Sequence, residues 1–551
     1  MKNKIQNPIL RGFHPDPSII RVEDDYYLAT STFEWWPGVR LHHSKDLIHW
    51  ELMPYPLNRT SQLDLRGVGA SQGIWAPDLS YDNGIFYLVF TVVNSFYCNM
   101  YDTNNYLVTA QSIYGPWSDP VPLSNFGFDP SLFHDDDGKK YMVGMVTDHR
   151  VPKKYAGRLI LQEYDGKTHR MKGSARDIYQ GDRIFLEGPH IFKRNGWYYL
   201  FSADTGTGEG HGQTIQRARD IWGPYEMFQA DFMERTSENE AFSILSSRHH
   251  EEILLQKAGH CDLVETAGGE WYAVHLCGRP SRYRNPADGG RFPGERRYML
   301  GRETAIQKMT WTDDGWLVME SGGSTPQTEV DGPEAGKENG SYVYKTIPDR
   351  DEFCEDQLSF DYQSLRIPMD ETYISLKARP GYLRMYGRSG LSSKFSQTLI
   401  ARRMTEYNME ISTAVEFEPE NFKQMAGLII LYDTDNYLYL HISKDEDARK
   451  CVTLLKAENK KYEYLADYIP VESNKMITLS AEIKEGEIQF FWKAESGEER
   501  KIGREINGSF LSDEACEEGW FTGTMCGICC QDLTGAGLYA DFDYFEVKAN
   551  T

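Results

Sequence analysis

Paired apolar runs, each pair joined by a short polar turn, recur five times within the first 320 residues. The turns are Asp24-Asp25, Asn83-Gly84, Asp137-Gly138, Asn195-Gly196 and Gly268-Gly269. Asx-Gly and Gly-Gly dipeptides between apolar runs are strong hairpin signals, because these residues accept the positive φ that tight turns require. Each repeat is therefore predicted to contain one β-hairpin.

One tyrosine lies in the second run of every pair, and successive tyrosines are 54 to 73 residues apart. They are Tyr27, Tyr87, Tyr141, Tyr199 and Tyr272. A four-stranded sheet with its loops fits this spacing, and five such repeats predict a five-bladed β-propeller. The predicted fold class is all-β.

In each pair, the first run begins eleven or twelve positions before that tyrosine, and in four of the five pairs it begins with a polar residue. The five positions are Asp16, Ala76, Asp129, Glu187 and His260. Because the innermost strands of a propeller surround its channel, equivalent positions are predicted to converge on the axis. An accidental cluster of surface carboxylates is the alternative, but it does not explain the matching spacing in separate repeats.

The chain is too long for a single core and predicts at least two domains. Residues 321–341 are rich in Gly, Pro and acidic residues and form the predicted linker. Beyond them, short apolar runs such as 425–432 and 437–442 alternate with turns and predict a β-sandwich. The predicted domains are a propeller at 1–320 and a sandwich at 342–551.

The formal net charge of −23 makes nucleic acid and anionic membranes poor partners. The nine cysteines are scattered without the spacing of a disulfide framework. Residues 1–8 lack the apolar stretch of a signal peptide, and no run reaches the roughly eighteen apolar residues that a membrane span needs. A cytoplasmic enzyme with reduced cysteines is therefore expected.

Three carboxylates at one axis favour glycoside hydrolysis. One carboxylic acid protonates the leaving oxygen, while one carboxylate activates water or attacks the sugar. Carboxylates that face each other repel, so the more buried group keeps its proton. For Phe33 and Trp75, sugar stacking and packing between blades both stay open. For His260, an axial water or metal contact and an ordinary buried histidine stay open.

Several motifs together resemble a known family. They are His14-Pro15-Asp16-Pro17-Ser18, Trp75-Ala76-Pro77, Phe128-Asp129-Pro130-Ser131-Leu132-Phe133, Glu187-Gly188-Pro189-His190, His275-Leu276-Cys277-Gly278-Arg279-Pro280 and Tyr539-Ala540-Asp541-Phe542-Asp543-Tyr544-Phe545. Over nearly the whole chain, these motifs resemble glycoside hydrolase family 43, and within it the two-domain β-xylosidase branch.

The resemblance implies a five-bladed propeller, a β-sandwich that helps to close the active site, and hydrolysis with inversion. It implies that Asp16 is the general base, that Glu187 is the general acid, and that Asp129 orients substrate and raises the acid's pKa. The implied substrate-binding residues are Phe33, Trp75, Thr207, His260 and Arg302. No cofactor is expected to be required, although calcium or another divalent ion is expected near His260. A homo-oligomer is also expected.

The chain departs from the family pattern at three places. Thr147 stands where relatives usually carry Trp before Asp-His-Arg, and Glu209-Gly210 replaces part of a Tyr-Glu-His motif. The loop at 282–297 is also extended. Because these departures are expected along the pocket wall, leaving-group preference stays open, whereas the three carboxylates are unaffected.

The predicted function is an inverting exo-hydrolase that releases xylose from the non-reducing end of short β-1,4-xylo-oligosaccharides. An α-L-arabinofuranosidase with the same machinery is the nearest alternative, because the two sugars present similar hydroxyls. A retaining fructosidase-type propeller would carry Arg where Phe128 stands. A non-catalytic glycan-binding propeller is a further alternative, but binding alone does not need three carboxylates.

Overall fold

The computed structural model describes residues 3–96, 100–150, 157–180, 185–229, 234–235, 242–287, 292–334, 342–471 and 476–550. Within these ranges the regular structure is β-strand, apart from one 3₁₀ turn at Gly508–Phe510. The all-β fold class is confirmed. Among the described residues, no helix combines the length and the apolar character that a membrane span requires.

Five antiparallel sheets form the propeller. The first strand of each sheet packs against the first strand of the next, and the fifth packs against the first, which closes a ring. From the axis outwards, the strands are Ser18–Val22, Asp25–Thr30, Arg40–Ser44 and Glu51–Leu52 in blade 1; Gly73–Asp82, Ile85–Ser95, Asp102–Ala110 and Val121–Ser124 in blade 2; Phe128–His134, Lys140–Val146, Arg158–Asp165 and Arg170–Gln180 in blade 3; Leu186–Arg194, Trp197–Asp204, Gly212–Ala218 and Glu226–Met227 in blade 4; and Gln256–Glu265, Trp271–Gly278, Glu303–Trp311 and Leu317–Met319 in blade 5. The predicted five-bladed propeller is confirmed.

The innermost hairpins turn at the predicted dipeptides, with one shift. Asn83 and Gly84 have φ of 50° and 80°, as in the two-residue turns whose twist matches a hairpin. In blade 1 the turn is Glu23-Asp24, because Asp25 already belongs to the second strand. The predicted turn at Asp24-Asp25 was therefore wrong by one residue.

Part of the predicted linker pairs with the propeller. Glu329–Asp331 forms a two-stranded antiparallel sheet with Lys4–Gln6, and Gly332 N donates to Asn3 O at 2.8 Å. These bonds join the chain after blade 5 to the chain before blade 1. Residues 335–341 lie outside the described residues, and the boundaries at 320 and 342 stay predictions.

Two antiparallel sheets form the second domain, which is the predicted β-sandwich. In spatial order the first sheet contains Ile374–Ser375, Leu383–Tyr386, Tyr539–Ala549, Met409–Glu416, Ile477–Lys484, Glu487–Ala494 and Arg500–Asn507, and Arg350–Asp351 pairs with Tyr539–Ala549. The second sheet contains Leu399–Arg403, Met525–Asp532, Gln424–Asp433, Asn436–Lys444, Lys450–Glu458 and Lys461–Tyr464, and Ile469–Pro470 pairs with Lys450–Glu458.

The second sheet is buried on both faces. Residues such as Leu428 and Ile430 face the core between the two sheets, whereas Ile429 and Leu431 join a cluster with Phe13 of the propeller. Burial on both faces explains why the run at 425–432 is almost continuously apolar instead of alternating. The sandwich is thus fixed against the propeller by a shared apolar core.

A backbone pairing also crosses between the domains. Trp35–Trp36 pairs with Ser364–Leu365, and Gln363 pairs with Ala401 at the edge of the second sheet. Trp35 is fully buried. This pairing holds the segment that carries Phe33 between the two domains.

Candidate active site

A β-bulge interrupts the innermost pairing of blades 2 to 5 near the start of the first strand. At each bulge one residue has positive φ, and the same conformation occurs just ahead of the first strand of blade 1. The five residues are Asp16, Ala76, Asp129, Gly188 and His260, with φ from 29° to 54°. Four of them carry side chains, for which this conformation is uncommon and is frequent at functional sites.

The sequence spacing placed Glu187 level with Asp16 and Asp129, and that was wrong by one residue. Gly188 occupies the bulge position of blade 4, while Glu187 pairs with Ala203 just before the bulge. Glu187 therefore enters the site from a different backbone position than the two aspartates. The interval to the tyrosine varies between eleven and twelve residues, which hid this difference.

A second polar ring lies two residues after the first along each strand. It consists of Ser18, Asp78, Ser131, His190 and Asp262, all of which are buried. This ring was not predicted from the sequence, although the spacing that identified the first ring also marks it. All five positions of the second ring are polar, whereas the first ring includes Ala76 and Gly188.

The second ring contains a buried ion cluster. His190 Nδ1 lies 3.4 Å from Asp78 Oδ1 and 3.6 Å from Asp262 Oδ1, and Ser18 Oγ donates to Asp262 Oδ2 at 2.9 Å. Burial acts to lower the pKa of His190, but Asp262 and Asp78 outweigh it and raise the pKa to about 9. At neutral pH the axis therefore carries the imidazolium of His190 beside Asp78 and Asp262.

One cavity of about 750 Å³ brings together every site residue predicted from the sequence. Asp16, Asp129, Glu187, Phe33, Trp75, Thr207, His260 and Arg302 all line it. Asp16, Asp129 and His260 belong to the first ring, that of the residues with positive φ, and the other five lie in neighbouring segments. A volume of this size is typical of small-molecule sites.

Both oxygens of Asp16 are held by fixed partners. Arg302 Nη1 donates to Asp16 Oδ1 at 2.8 Å, and Ser31 Oγ donates to Asp16 Oδ2 at 2.7 Å. Arg302 also donates from Nη2 to the carbonyl of Phe521 at 3.1 Å, and Ser31 Oγ accepts from Ala76 N at 2.8 Å. Asp16 is therefore an ion-paired carboxylate with one fixed orientation.

Asp129 and Glu187 are buried neighbours with different partners. Burial, followed by the negative charges of Asp129 and Asp16, raises the pKa of Glu187 well above its ordinary value, although Arg302 opposes this. Burial and the charge of Asp16 raise the pKa of Asp129 to about 7, and the hydrogen bond that Gly188 N donates to Asp129 Oδ2 at 3.0 Å opposes this shift. Glu187 Oε1 is buried and has no hydrogen-bond partner among the residues that the structure describes. Glu187 is therefore the carboxyl that keeps its proton.

An aromatic wall faces the carboxylates. Phe33 and Trp75 have ring centroids 6.0 Å apart, and both contact Phe521, at 6.0 Å and 5.1 Å. Trp520 and Phe128 extend this wall. Phe521 and Trp520 come from the sandwich and were missed in the sequence, because no local pattern shows that a distant domain reaches the cavity.

Comparisons with known proteins agree with this geometry. The profile described as glycosyl hydrolases family 43 matches residues 5–317, and the profile described as beta xylosidase C-terminal concanavalin A-like domain matches residues 350–548. The chain belongs to glycosyl hydrolases family 43. It is an all-β hydrolase of that family with its C-terminal sandwich.

Three relatives of family 43 match nearly full length. Xylosidase/arabinosidase 43B of Humicola insolens is 42% identical over 98% of this chain and 97% of its own, and xylan 1,3-beta-xylosidase of a Vibrio species is 41% identical over 99% of each. The crystal structure of xylan beta-1,4-xylosidase from Bacillus halodurans C-125 has a TM-score of 0.92 and 45% identity, covering 99% of this chain and 100% of that one.

His260, near which a divalent ion is expected, is a buried neighbour of Asp16. Burial lowers the pKa of His260 to about 4, so its ring is neutral, and Nδ1 lies 3.9 Å from Asp16 Oδ1. Among the described residues, the group able to hold a metal ion is Asp78, His190 and Asp262 instead. One nitrogen and two carboxylates do not fit calcium, which takes about six to eight oxygen ligands. The ion near His260 stays a prediction, and no step below depends on it.

The departures from the family pattern fall in different places. Glu209 and Gly210 line the cavity, as do Phe292 and Glu295 of the extended loop at 282–297. Thr147 is not among the described residues that line the cavity, and its expected place on the pocket wall stays a prediction. The pocket is thus changed on the side of blades 4 and 5.

A buried ion pair anchors the closing loop, which we define as residues 511–524. Lys257 Nζ pairs with Glu514 and lies 3.4 Å from Asp513 Oδ2, while Tyr432 Oη donates to Asp513 Oδ1 at 2.7 Å. Burial acts to lower the pKa of Lys257, but the two carboxylates outweigh it and raise the pKa. Lys257 therefore links blade 5 to the loop that contributes Trp520 and Phe521 to the aromatic wall.

Replacing Lys257 with methionine should lower the free energy of unfolding by about 3–5 kcal/mol, because two buried carboxylates lose their cation. Urea denaturation followed by tryptophan fluorescence measures this. Lys172→Met is the matched control, since Lys172 pairs with Glu163 at the surface, where an ion pair contributes about 0–1 kcal/mol. Equal midpoints for the two variants would contradict an anchoring role for Lys257.

Proposed function

We propose that this enzyme is an inverting exo-β-xylosidase, which releases xylose from the non-reducing end of short β-1,4-xylo-oligosaccharides. One observation carries the proposal. A buried carboxyl with raised pKa, Glu187, shares one cavity with an ion-paired carboxylate, Asp16. Glycosidic cleavage needs that division between a proton donor and a group that activates water.

In the proposed mechanism, Glu187 gives its proton to the glycosidic oxygen as the bond to the anomeric carbon breaks. Asp16 removes a proton from the water that attacks this carbon from the opposite face. Asp129 keeps the pKa of Glu187 high through its negative charge. Arg302 and Ser31 fix the direction in which Asp16 accepts the water's proton.

The shape of the cavity supports exo-action. Trp520 and Phe521 of the closing loop cover one side of it, and Arg302 ties the Phe521 carbonyl to the propeller. A pocket that a second domain covers on one side favours binding of a chain end, whereas an internal attack needs a cleft open along its length. The aromatic wall supplies the apolar face on which a sugar ring stacks.

Product analysis tests the stereochemistry. We expect proton NMR to show α-xylose as the first sugar product from 4-nitrophenyl β-xyloside, with β-xylose appearing only by mutarotation. With xylotriose as substrate, the enzyme should release single pentoses. A first product with the β configuration would contradict inversion, and release of internal fragments from long xylan would contradict exo-action.

Glycone and linkage are tested together with a substrate panel. The relatives include one named as a 1,3-xylosidase, one as a 1,4-xylosidase and one as a xylosidase/arabinosidase. We expect kcat/KM to be highest for β-1,4-xylobiose, lower for β-1,3-xylobiose, and lower for an aryl α-L-arabinofuranoside than for the aryl β-xyloside. A higher kcat/KM for β-1,3-xylobiose would contradict the proposed linkage, and a higher kcat/KM for the arabinofuranoside would contradict the proposed glycone.

We further propose that the enzyme acts in the cytoplasm. Eight described cysteines are free thiols, and only Cys354 among them is exposed, which suits a reducing compartment. Fractionation of producing cells tests this, and activity mainly in the medium would contradict it.

A homo-oligomer is proposed on a separate ground. Phe422 and Leu533 are exposed at 67% and 48%, and Leu533 N donates to the carbonyl of the neighbouring Lys423. Exposed apolar side chains grouped at the ends of two neighbouring strands favour association. Light scattering measures the mass in solution, and a monomer at micromolar concentration would contradict the proposal.

A further inference from the structure

The cavity has a second wall that the three-carboxylate chemistry does not use. It is mostly polar, and its residues come from blades 4 and 5 and the loops beside them. Residues 205–210 follow the second strand of blade 4, and residues 247–251 precede the first strand of blade 5. Phe292 and Glu295 come from the extended loop at 282–297 and complete this wall.

The polar wall begins directly beside the general acid. Glu187 pairs with Ala203, and Leu186 pairs with Asp204, so residues 205–210 continue the strand past Glu187. Thr205 N donates to the carbonyl of Phe185 at 3.1 Å, which keeps this continuation against the acid's own strand. A sugar that receives the proton of Glu187 as it departs must therefore lie next to this wall.

The extended loop is built into the wall by hydrogen bonds. Glu209 accepts from Arg296 Nε at 2.8 Å and from Tyr298 Oη at 2.6 Å, and its own N donates to Glu295 Oε2 at 3.2 Å. Arg296 Nη1 also donates to the carbonyl of Glu251 at 2.7 Å. The described part of the loop is thus held to both neighbouring segments, which positions Phe292 and Glu295.

Glu295 and Phe292 line the cavity with groups that are available to a ligand. Among the described residues, the hydrogen bond from Glu209 N uses Oε2 of Glu295, and Oε1 has no hydrogen-bond donor. A Cβ on Gly208 would lie 3.1 Å from Oε1 and 3.6 Å from Phe292 Cε1. Because Gly208 has no side chain, it leaves the Glu295 carboxylate and the Phe292 ring uncovered where they line the cavity.

We infer that Glu295 and Phe292 bind the leaving-group sugar and set the preference for it. The inference rests on the proposed function. The cavity of about 750 Å³ is far larger than one pentose ring, so a second ring fits beside the first. A carboxylate accepts hydrogen bonds from sugar hydroxyls, and an aromatic ring packs on the apolar face of the pyranose. The ligand class is a neutral pentopyranose at the reducing side of the scissile bond.

Two xylosyl substrates with different leaving groups test the inference. Xylobiose places a sugar against the polar wall, whereas β-xylosyl fluoride releases only fluoride and leaves that wall empty. Glu295→Ala should lower kcat/KM for xylobiose by roughly ten- to a hundred-fold, the range expected for one hydrogen bond to a charged group. Phe292→Ala should produce a loss of about ten-fold. Neither variant should change kcat/KM for the fluoride by more than about two-fold.

The controls separate binding from folding. Glu295→Gln, which keeps one acceptor oxygen, should restore part of the xylobiose activity. Arg282→Gln changes the same loop away from the cavity, where Arg282 pairs with Glu487, and should leave both substrates unaffected. Equal losses on both substrates, or an unchanged rate on xylobiose, would overturn the inference. A wild-type enzyme inactive on both xylosyl compounds would overturn the proposed function itself, and this inference with it.

Discussion

Glu187→Ala should lower kcat/KM for xylobiose by about 10²- to 10⁴-fold while sparing much of the activity on 4-nitrophenyl β-xyloside. The sugar alkoxide is a poor leaving group and departs only as it gains a proton. Nitrophenolate is stabilised without that proton, so it needs the acid far less. The variant and the wild type are compared on both substrates under identical conditions.

The pH profile supplies a second readout for Glu187. The acid works only when protonated, so activity falls as pH rises through its pKa, which burial, Asp129 and Asp16 raise. This alkaline limb should be missing when Glu187→Ala is assayed on the nitrophenyl substrate. Equal losses on the two substrates, with the limb retained, would remove Glu187 from the role of acid.

The propeller was predictable because its signal is local and repeated. Each hairpin is marked by a turn dipeptide and a tyrosine within about a dozen residues, and five copies fix the number of blades. The second sheet of the sandwich was predictable for a different reason. Its runs are continuously apolar because both faces are covered, one of them by the propeller.

The register at the axis was predictable only to within one residue. A bulge adds a residue to one strand without changing the pattern of apolar positions, so counting back from the tyrosine is ambiguous there. Asp16 and Asp129 fell on the bulge, but in blade 4 the bulge residue is Gly188. Glu187 was identified by its carboxylate, although its backbone position was wrong.

The remaining parts of the site depend on contacts across long stretches of sequence. Phe521 lies over 200 residues from Arg302, yet its carbonyl accepts a hydrogen bond from that side chain. Turn signals and periodicity describe neighbours along the chain and carry no information on such a contact. Arg302 and Thr207 were found only through the resemblance to a family.

The two domains together complete one site. Arg302 of the propeller holds Asp16 with one nitrogen and the closing loop with the other. Lys257 holds the same loop from blade 5. Movement of the sandwich would therefore disturb both the aromatic wall and Asp16.

Asp16→Ala should lower kcat/KM on xylobiose and on 4-nitrophenyl β-xyloside alike, by about 10²- to 10⁴-fold in each case. Both reactions need the water that Asp16 activates, whatever the leaving group, so the ratio between substrates should stay near that of the wild type. Steady-state kinetics on both substrates measure this ratio. Ser31→Ala is the matched control, because it removes one hydrogen bond to Asp16 and keeps the carboxylate, and it should cost far less. A loss confined to xylobiose would show that Asp16 assists departure instead of attack.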